Sequence, residues 1–98
     1  MVYHVILWKL KEDFNNSEVK EGIKNSLEAL AGVIPGLNEI KVITESLPSS
    51  NADVMLWSVF TSEDALKGYA VHPEHVKAAD TFVRPFTETR YCMDYVQP

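Results

Sequence analysis

Residues 2–10 read Val-Tyr-His-Val-Ile-Leu-Trp-Lys-Leu, an alternating stretch rich in β-branched and aromatic side chains, the pattern of a strand. Neither side of that alternation is polar. Val2, His4, Ile6, Trp8 and Leu10 fall on one face, and Tyr3, Val5, Leu7 and Lys9 on the other. Residues 52–60 repeat the situation, with Asp53, Met55, Trp57 and Val59 alternating with Val54, Leu56, Ser58 and Phe60. A strand that is apolar on both sides has to be covered on both sides. Any fold open to this chain must shield two faces of its sheet, and one layer of helices can shield only one.

Elsewhere the period changes. After the polar stretch Asp13-Phe14-Asn15-Asn16, Ser17 is placed to cap a helix, with Glu18 in the first turn. Val19, Ile23, Leu27, Leu30 and Ile34 recur at helical spacing while Lys20, Glu21, Lys24 and Glu28 point away as a solvated face. That predicts an amphipathic helix over 17–32, in which Gly22 is a modest weakness. Pro35-Gly36 suits the centre of a type II turn. Residues 37–45 read as a strand through Leu37, Ile40, Val42 and Ile43, and 47–51 as an exposed loop. Thr61-Ser62-Glu63-Asp64 opens a short helix continued by Ala65, Leu66 and Tyr69. From Pro73, the spacing Val76, Ala79, Phe82, Val83 and Phe86 gives another helical face, ended near Arg84-Pro85. A last strand runs over 87–96, with Arg90, Cys92 and Asp94 on one side and Tyr91, Met93 and Tyr95 on the other.

The order β-α-β-β-α-β, with its second helical region split at Pro73, is that of two interleaved split βαβ units. We therefore expect residues 1–98 to form one ferredoxin-like α+β domain. Its four-stranded antiparallel sheet has helices on one face and strand 1 between strands 3 and 4. The uncovered face would carry either the Ile6/Trp8 or the Tyr3/Leu7 series, an apolar patch too large for a soluble monomer. A second copy packed sheet to sheet, as a two-fold homodimer, is the economical cover.

Charge and composition exclude other classes. The net charge of -5, with no basic stripe, argues against a nucleic-acid partner. No apolar run approaches the roughly 20 residues that span a bilayer, and the first ten residues lack the basic start and cleavage site of a signal peptide. The single cysteine, Cys92, has no partner for an internal disulfide and reads as a small apolar residue packed mid-strand. A cytoplasmic protein without membrane association is the expectation.

Residues 68–76, Gly-Tyr-Ala-Val-His-Pro-Glu-His-Val, hold two of the three histidines and a tyrosine. Pro73 disfavours helical geometry at His72 and suits the first position of a new helix. His75 then lies in that helix's first turn, where the positive end of the dipole resists protonation. A neutral imidazole beside a phenol can act as an acid–base pair.

The β-α-β-β-α-β order, His4 near the start of strand 1, Ile34-Pro35-Gly36, the segment Tyr69-x-x-His72-Pro73-x-His75 and the closing Asp94-Tyr95 together resemble the stress-responsive α/β-barrel (Dabb) family. The resemblance covers essentially the whole chain, and the Tyr-x-x-His-Pro-x-His segment is its specific part. It implies a homodimer whose two sheets close into a barrel with helices outside. Some members of that family are stress-associated in plants, and others are polyketide cyclases that close a ring by aldol-type chemistry without cofactor or metal. In those cyclases the residues matching Tyr69 and His75 do the chemistry, and those matching His4 and Asp94 line or support the same cavity.

We thus read Tyr69 and His75 as the candidate catalytic pair, and His4, Asp94 and His72 as candidate binding residues. The phenol would hydrogen-bond a developing oxyanion while the imidazole takes a proton beside a carbonyl. The competing structural reading has Tyr69 packing its helix on the sheet and His75 bonding a nearby carbonyl. His72, before a proline, equally suits a helix cap. His4 and Asp94 meet because strands 1 and 4 should be antiparallel neighbours, so that the aspartate would fix the histidine's tautomer. Alternatively they form a buried pair that satisfies only itself, with Asp53 a surface residue at a loop edge. No metal is expected, because Pro73 interrupts the helix that would align His72 with His75, and the resemblance implies chemistry without a cofactor. The functional expectation is a small-molecule site with cofactor-independent cyclisation or isomerisation. The alternatives are a non-enzymatic stress-related dimer and a cofactor-free monooxygenase of the same architecture.

Overall fold

The period-two stretches pair as the patterning requires. β1 (Val2–Leu10), β2 (Leu37–Ile43), β3 (Val54–Phe60) and β4 (Thr87–Val96) form one sheet in the order β2-β3-β1-β4, every neighbouring pair antiparallel. The computed structural model describes residues 1–97. Helices α1 (Ser17–Glu28), α2 (Glu63–Val71) and α3 (Pro73–Ala78) complete the ferredoxin-like arrangement.

Which face the helices cover is decided by β1. Val2, His4, Ile6, Trp8 and Leu10 are all buried, joined in the core by Ile23 and Leu27 of α1 and by Leu56 and Phe60 of β3. The opposite face carries an aromatic row running across the strands. Tyr3 stacks on Tyr95 at 5.2 Å, meets Trp57 at 5.8 Å, and the Lys41 ammonium stands 5.5 Å over the Trp57 ring. Leu7, Tyr91 and Met93 extend this face and are exposed.

Several local expectations shift. The cap of α1 is Asn16, not Ser17; its side chain accepts from Val19 N at 2.9 Å from an extended backbone. The helix ends at Glu28 rather than 32. The chain tightens into three-residue turns, passes Gly32 at φ 79, and still delivers Leu30 and Ile34 to the core. The Pro35-Gly36 turn forms as expected, with Gly36 at φ 80 and Leu37 N bonded to Ile34 O. Lys24 and Glu28 are not a free solvated face. Glu28 Oε2 accepts from Val42 N and from Lys24 Nζ, and Lys24 Nζ donates to Val42 O, so the pair occupies the open edge of β2. Gly22 makes room for the Phe82 ring, which a Cβ there would approach to 3.2 Å.

Asp53 is more than a surface residue. Its amide donates to Trp8 O and its carboxylate accepts from Leu10 N, both at 2.8 Å, which ties the entrance of β3 to the end of β1. After α3 the helix widens into a π turn over Ala79–Val83 and then a 3-10 turn over Arg84–Phe86. The wider turn breaks the expected face: Val83 is buried but Phe82 is exposed.

Candidate active site

The helices pack on β1, β2 and β3, whereas β4 lies at the sheet edge beyond them. The gap between β4 and the α2–α3 region is a cavity of about 670 Å³. His4 and Ile6 come to its walls from β1, Tyr69 from α2, and His75 from α3. β4 contributes the side its alternation predicted, Arg90, Cys92 and Asp94.

Tyr69 is placed by a well-capped helix, Ser62 Oγ accepting from Ala65 N at 3.0 Å. It is 2% exposed and is held edge-on by Phe60 at 5.0 Å and His4 at 6.0 Å. Its hydroxyl is buried with no hydrogen-bond partner among the described residues. Burial drives its ionisation well above the usual phenol range, against the opposing charge of Arg90, so the group is a neutral donor.

His75 reaches the tyrosine because the helix breaks. His72 is extended at φ -64, ψ 131, and its Nδ1 accepts from Glu74 N at 3.1 Å, capping α3 ahead of Pro73. The chain then turns His75 onto Tyr69, ring centroids 4.1 Å apart. A carbonyl can only accept, so the 3.3 Å contact between His75 Nδ1 and Ala70 O puts the proton on Nδ1 and leaves a lone pair on Nε2. Burial lowers the His75 pKa from 6.5; the Ala70 hydrogen bond opposes this, and the charges of Arg84, His4 and Arg90 reinforce it. The imidazole is therefore neutral at pH 7. His72 does not join it. It is not among the cavity walls, its ring nitrogen is spent on the cap, and its place in the expected binding set is corrected accordingly.

His4 and Asp94 stand directly opposite each other in the β1–β4 register, and His4 Nδ1 donates to the carboxylate. The histidine side chain is 8% exposed and the aspartate 44%, so the pair bridges core and cavity. Ser58, fully buried on β3, donates from Oγ to His4 O at 2.9 Å and steadies the backbone there. Cys92 does not pack as an apolar residue. It is exposed, with Sγ 3.5 Å from Asp94 Oδ1 and 3.7 Å from His4 Nδ1. Burial and the Asp94 charge push its thiol up, so it stays protonated, although Arg90 opposes them. Arg84 and Arg90 are wall residues that sequence reasoning did not single out; the alternation that places Arg90 beside Cys92 and Asp94 was the available signal.

A family model described as "Stress responsive A/B Barrel Domain" matches residues 2–97. The chain is 28% identical over 97 residues to a stress-response A/B barrel domain-containing protein of Arabidopsis thaliana; the match covers 98% of this chain and 36% of that protein, so the chain spans about a third of its relative's length. A dimeric protein of unknown function and ferredoxin-like fold from Bacteroides fragilis is 34% identical, with a TM-score of 0.87 over 96% of this chain and 93% of that one. A hydroxynitrile lyase from Passiflora edulis shares the fold at 19% identity, with a TM-score of 0.83 over 99% of this chain and 93% of that one.

Proposed function

The chain belongs to the stress-responsive A/B barrel family, and on that premise we propose that it is a homodimer that binds a small organic carbonyl compound in the cavity of each protomer and isomerises or cyclises it by cofactor-independent acid–base chemistry. The observation that carries this reading is the buried, unpaired Tyr69 hydroxyl on the wall it shares with neutral His75. His75 Nε2 takes a proton from carbon next to the carbonyl, and the Tyr69 hydroxyl donates to the oxyanion as charge develops there. The imidazolium returns the proton to another carbon, or to the new alkoxide if the enolate has attacked a second carbonyl. No electrons are gained or lost. Asp94 accepts from His4 Nδ1 and so orients that ring beside the same cavity.

Dimerisation is supported by the aromatic row on the uncovered sheet face and by the dimeric state named for the Bacteroides fragilis relative. No helix among the described residues is long and apolar enough to cross a membrane, and a cytoplasmic setting belongs to the same proposal. A second reading, a dimer that holds a ligand without turning it over, draws on the deep burial of Tyr69 and the Ala70 bond already made by His75. A panel of carbonyl compounds incubated with the wild type, Tyr69→Phe and His75→Ala separates the two. Turnover lost in both variants supports acid–base chemistry, and equal rates in all three refute it. Saturable binding without turnover in the wild type supports the second reading.

A further inference from the structure

Cys92 takes no part in the chemistry proposed above, yet it lies beside the two residues that orient each other there. We infer that His4, Cys92 and Asp94 form a binding site for a divalent cation of the zinc class, open to the cavity. They are the one group of three or more potential ligands among the described residues, with donor atoms all within 4.8 Å of one another. Cys92 and Asp94 are two apart on β4 and share a face; His4 is the register partner of Asp94 across the sheet. Three ligands thus come from two rigid neighbouring strands.

The spacing suits the ion. With Zn–S about 2.3 Å, Zn–N about 2.0–2.1 Å and Zn–O about 2.0–2.2 Å at tetrahedral angles, adjacent donors sit about 3.3–3.7 Å apart. The thiol sulfur is 3.7 Å from His4 Nδ1 and 3.5 Å from Asp94 Oδ1, already at those separations. Only the histidine and aspartate are closer, because a hydrogen bond joins them; the exposed aspartate has the freedom to swing away. Binding releases the thiol proton to solvent and moves the His4 proton from Nδ1 to Nε2. Thiolate and carboxylate together neutralise the dication, against the nearby Arg90 charge, and sulfur with imidazole favours zinc over magnesium or calcium. The fourth position faces the cavity, where water or a ligand oxygen completes the tetrahedron.

This site draws on the His4–Asp94 pair that the acid–base reading also uses, so its test reads the metal rather than turnover, and failure of one reading leaves the other to its own experiment. The full chain is titrated with cobalt(II), followed by displacement with zinc. The expected result is a thiolate-to-cobalt charge-transfer band that saturates at one ion per chain and is abolished by zinc, with proton release on binding. Losing even an outer-shell partner typically weakens a metal about 10–100-fold, so Cys92→Ser should abolish the band and weaken zinc at least that much, and Asp94→Asn should weaken it too. Cys92 is exposed, so its serine variant should keep the wild-type circular dichroism. His72→Ala should bind as the wild type does. Absence of the band, its survival in Cys92→Ser, or its loss in His72→Ala would overturn the assignment.

Discussion

Tyr69 and His75 lie ring against ring, their centroids 4.1 Å apart and planes inclined by 33°, although the helix that carries one stops before the helix that carries the other. The extended residue between them, His72, makes the contact possible. Continuous helix would have set the two side chains on different faces, since residues six apart do not share one.

This contact makes Tyr69→Phe informative in two directions. A buried hydroxyl without a partner costs about 1–3 kcal/mol, so removing it should raise stability by about 1 kcal/mol, read by urea denaturation. Turnover of a carbonyl substrate should fall about 10²–10³-fold, the usual effect of deleting an oxyanion donor. A destabilised variant would mean that the hydroxyl has a native partner after all.

The depressed pKa of His75 fixes the direction of a pH effect. Its folded value lies below 6.5 and the unfolded chain titrates near 6.5, so the unfolded state binds more protons as pH falls below that point. The contribution of this group is fully present above pH 6.5 and is lost as pH falls through the lowered folded value. His75→Gln should flatten that acid limb of the stability curve. Turnover should decline only below pH 6.5, and a rate that falls on passing above neutrality would contradict a His75 base.

Glu28 and Lys24 predict a stability effect at residues that do not line the cavity. Glu28→Ala leaves Val42 N without its side-chain acceptor and Lys24 without its anion, a loss of about 1–2 kcal/mol in urea. Partial burial alone would raise the Glu28 pKa; the Lys24 and Val42 hydrogen bonds and the Lys24 charge more than offset this and hold it below 4.5. The contribution is therefore present above pH 4.5 and fades as pH falls through the lowered value. Equal acid sensitivity in wild type and Glu28→Gln would count against the edge contact.

The uncovered sheet face predicts a self-association variant. Met93 is 67% exposed in the protomer, so Met93→Lys should change protomer stability by less than about 0.5 kcal/mol. In the proposed dimer it places a charge in an apolar interface, which should weaken association by about 100-fold or more. Sedimentation should find the wild type at twice the 11.1 kDa chain mass and the variant dissociating on dilution. An unchanged dimer would move the interface elsewhere.

Gly36 links the turn after α1 to the position of α2. At φ 80 a side chain costs about 1–2 kcal/mol, and a Cβ would stand 2.5 Å from Ala65 Cβ. Gly36→Ala should therefore destabilise by more than about 2 kcal/mol in urea, because backbone strain and collision add. Adding Ala65→Gly should recover only part of the collision and leave the strain and the 3.0 Å approach to Thr61 Oγ1.

Where side chains repeat with a regular period, the chain could be read directly. The alternation of residues 2–10 and 52–60 and the amphipathic run from Val19 to Ile34 reappear as β1, β3 and α1, with β3 starting two residues later and α1 ending at Glu28. The approach of His75 to Tyr69 and of His4 to Asp94 was also legible, because a proline break and an antiparallel register are local rules with long-range consequences. Less regular features were not. Asn16 and Ser17 are both capping residues, and only backbone geometry chooses between them. The π turn at Ala79–Val83 has no compositional mark, so Phe82 could not be recognised as exposed.

By itself the sequence determined the element order, the two-sided demand of the central strands, and the residue types available for chemistry, since these follow from patterns a few residues long. Tertiary structure alone decided that β4 overhangs the helices to leave a cavity. It also decided that Lys24 and Glu28 serve a strand edge, that His75 carries its proton on Nδ1, and that Cys92 faces His4 and Asp94. Each of these depends on which distant atom arrives within about 4 Å, and short-range interactions decide hydrogen bonds, tautomers and ligand sets only once packing has brought the partners together.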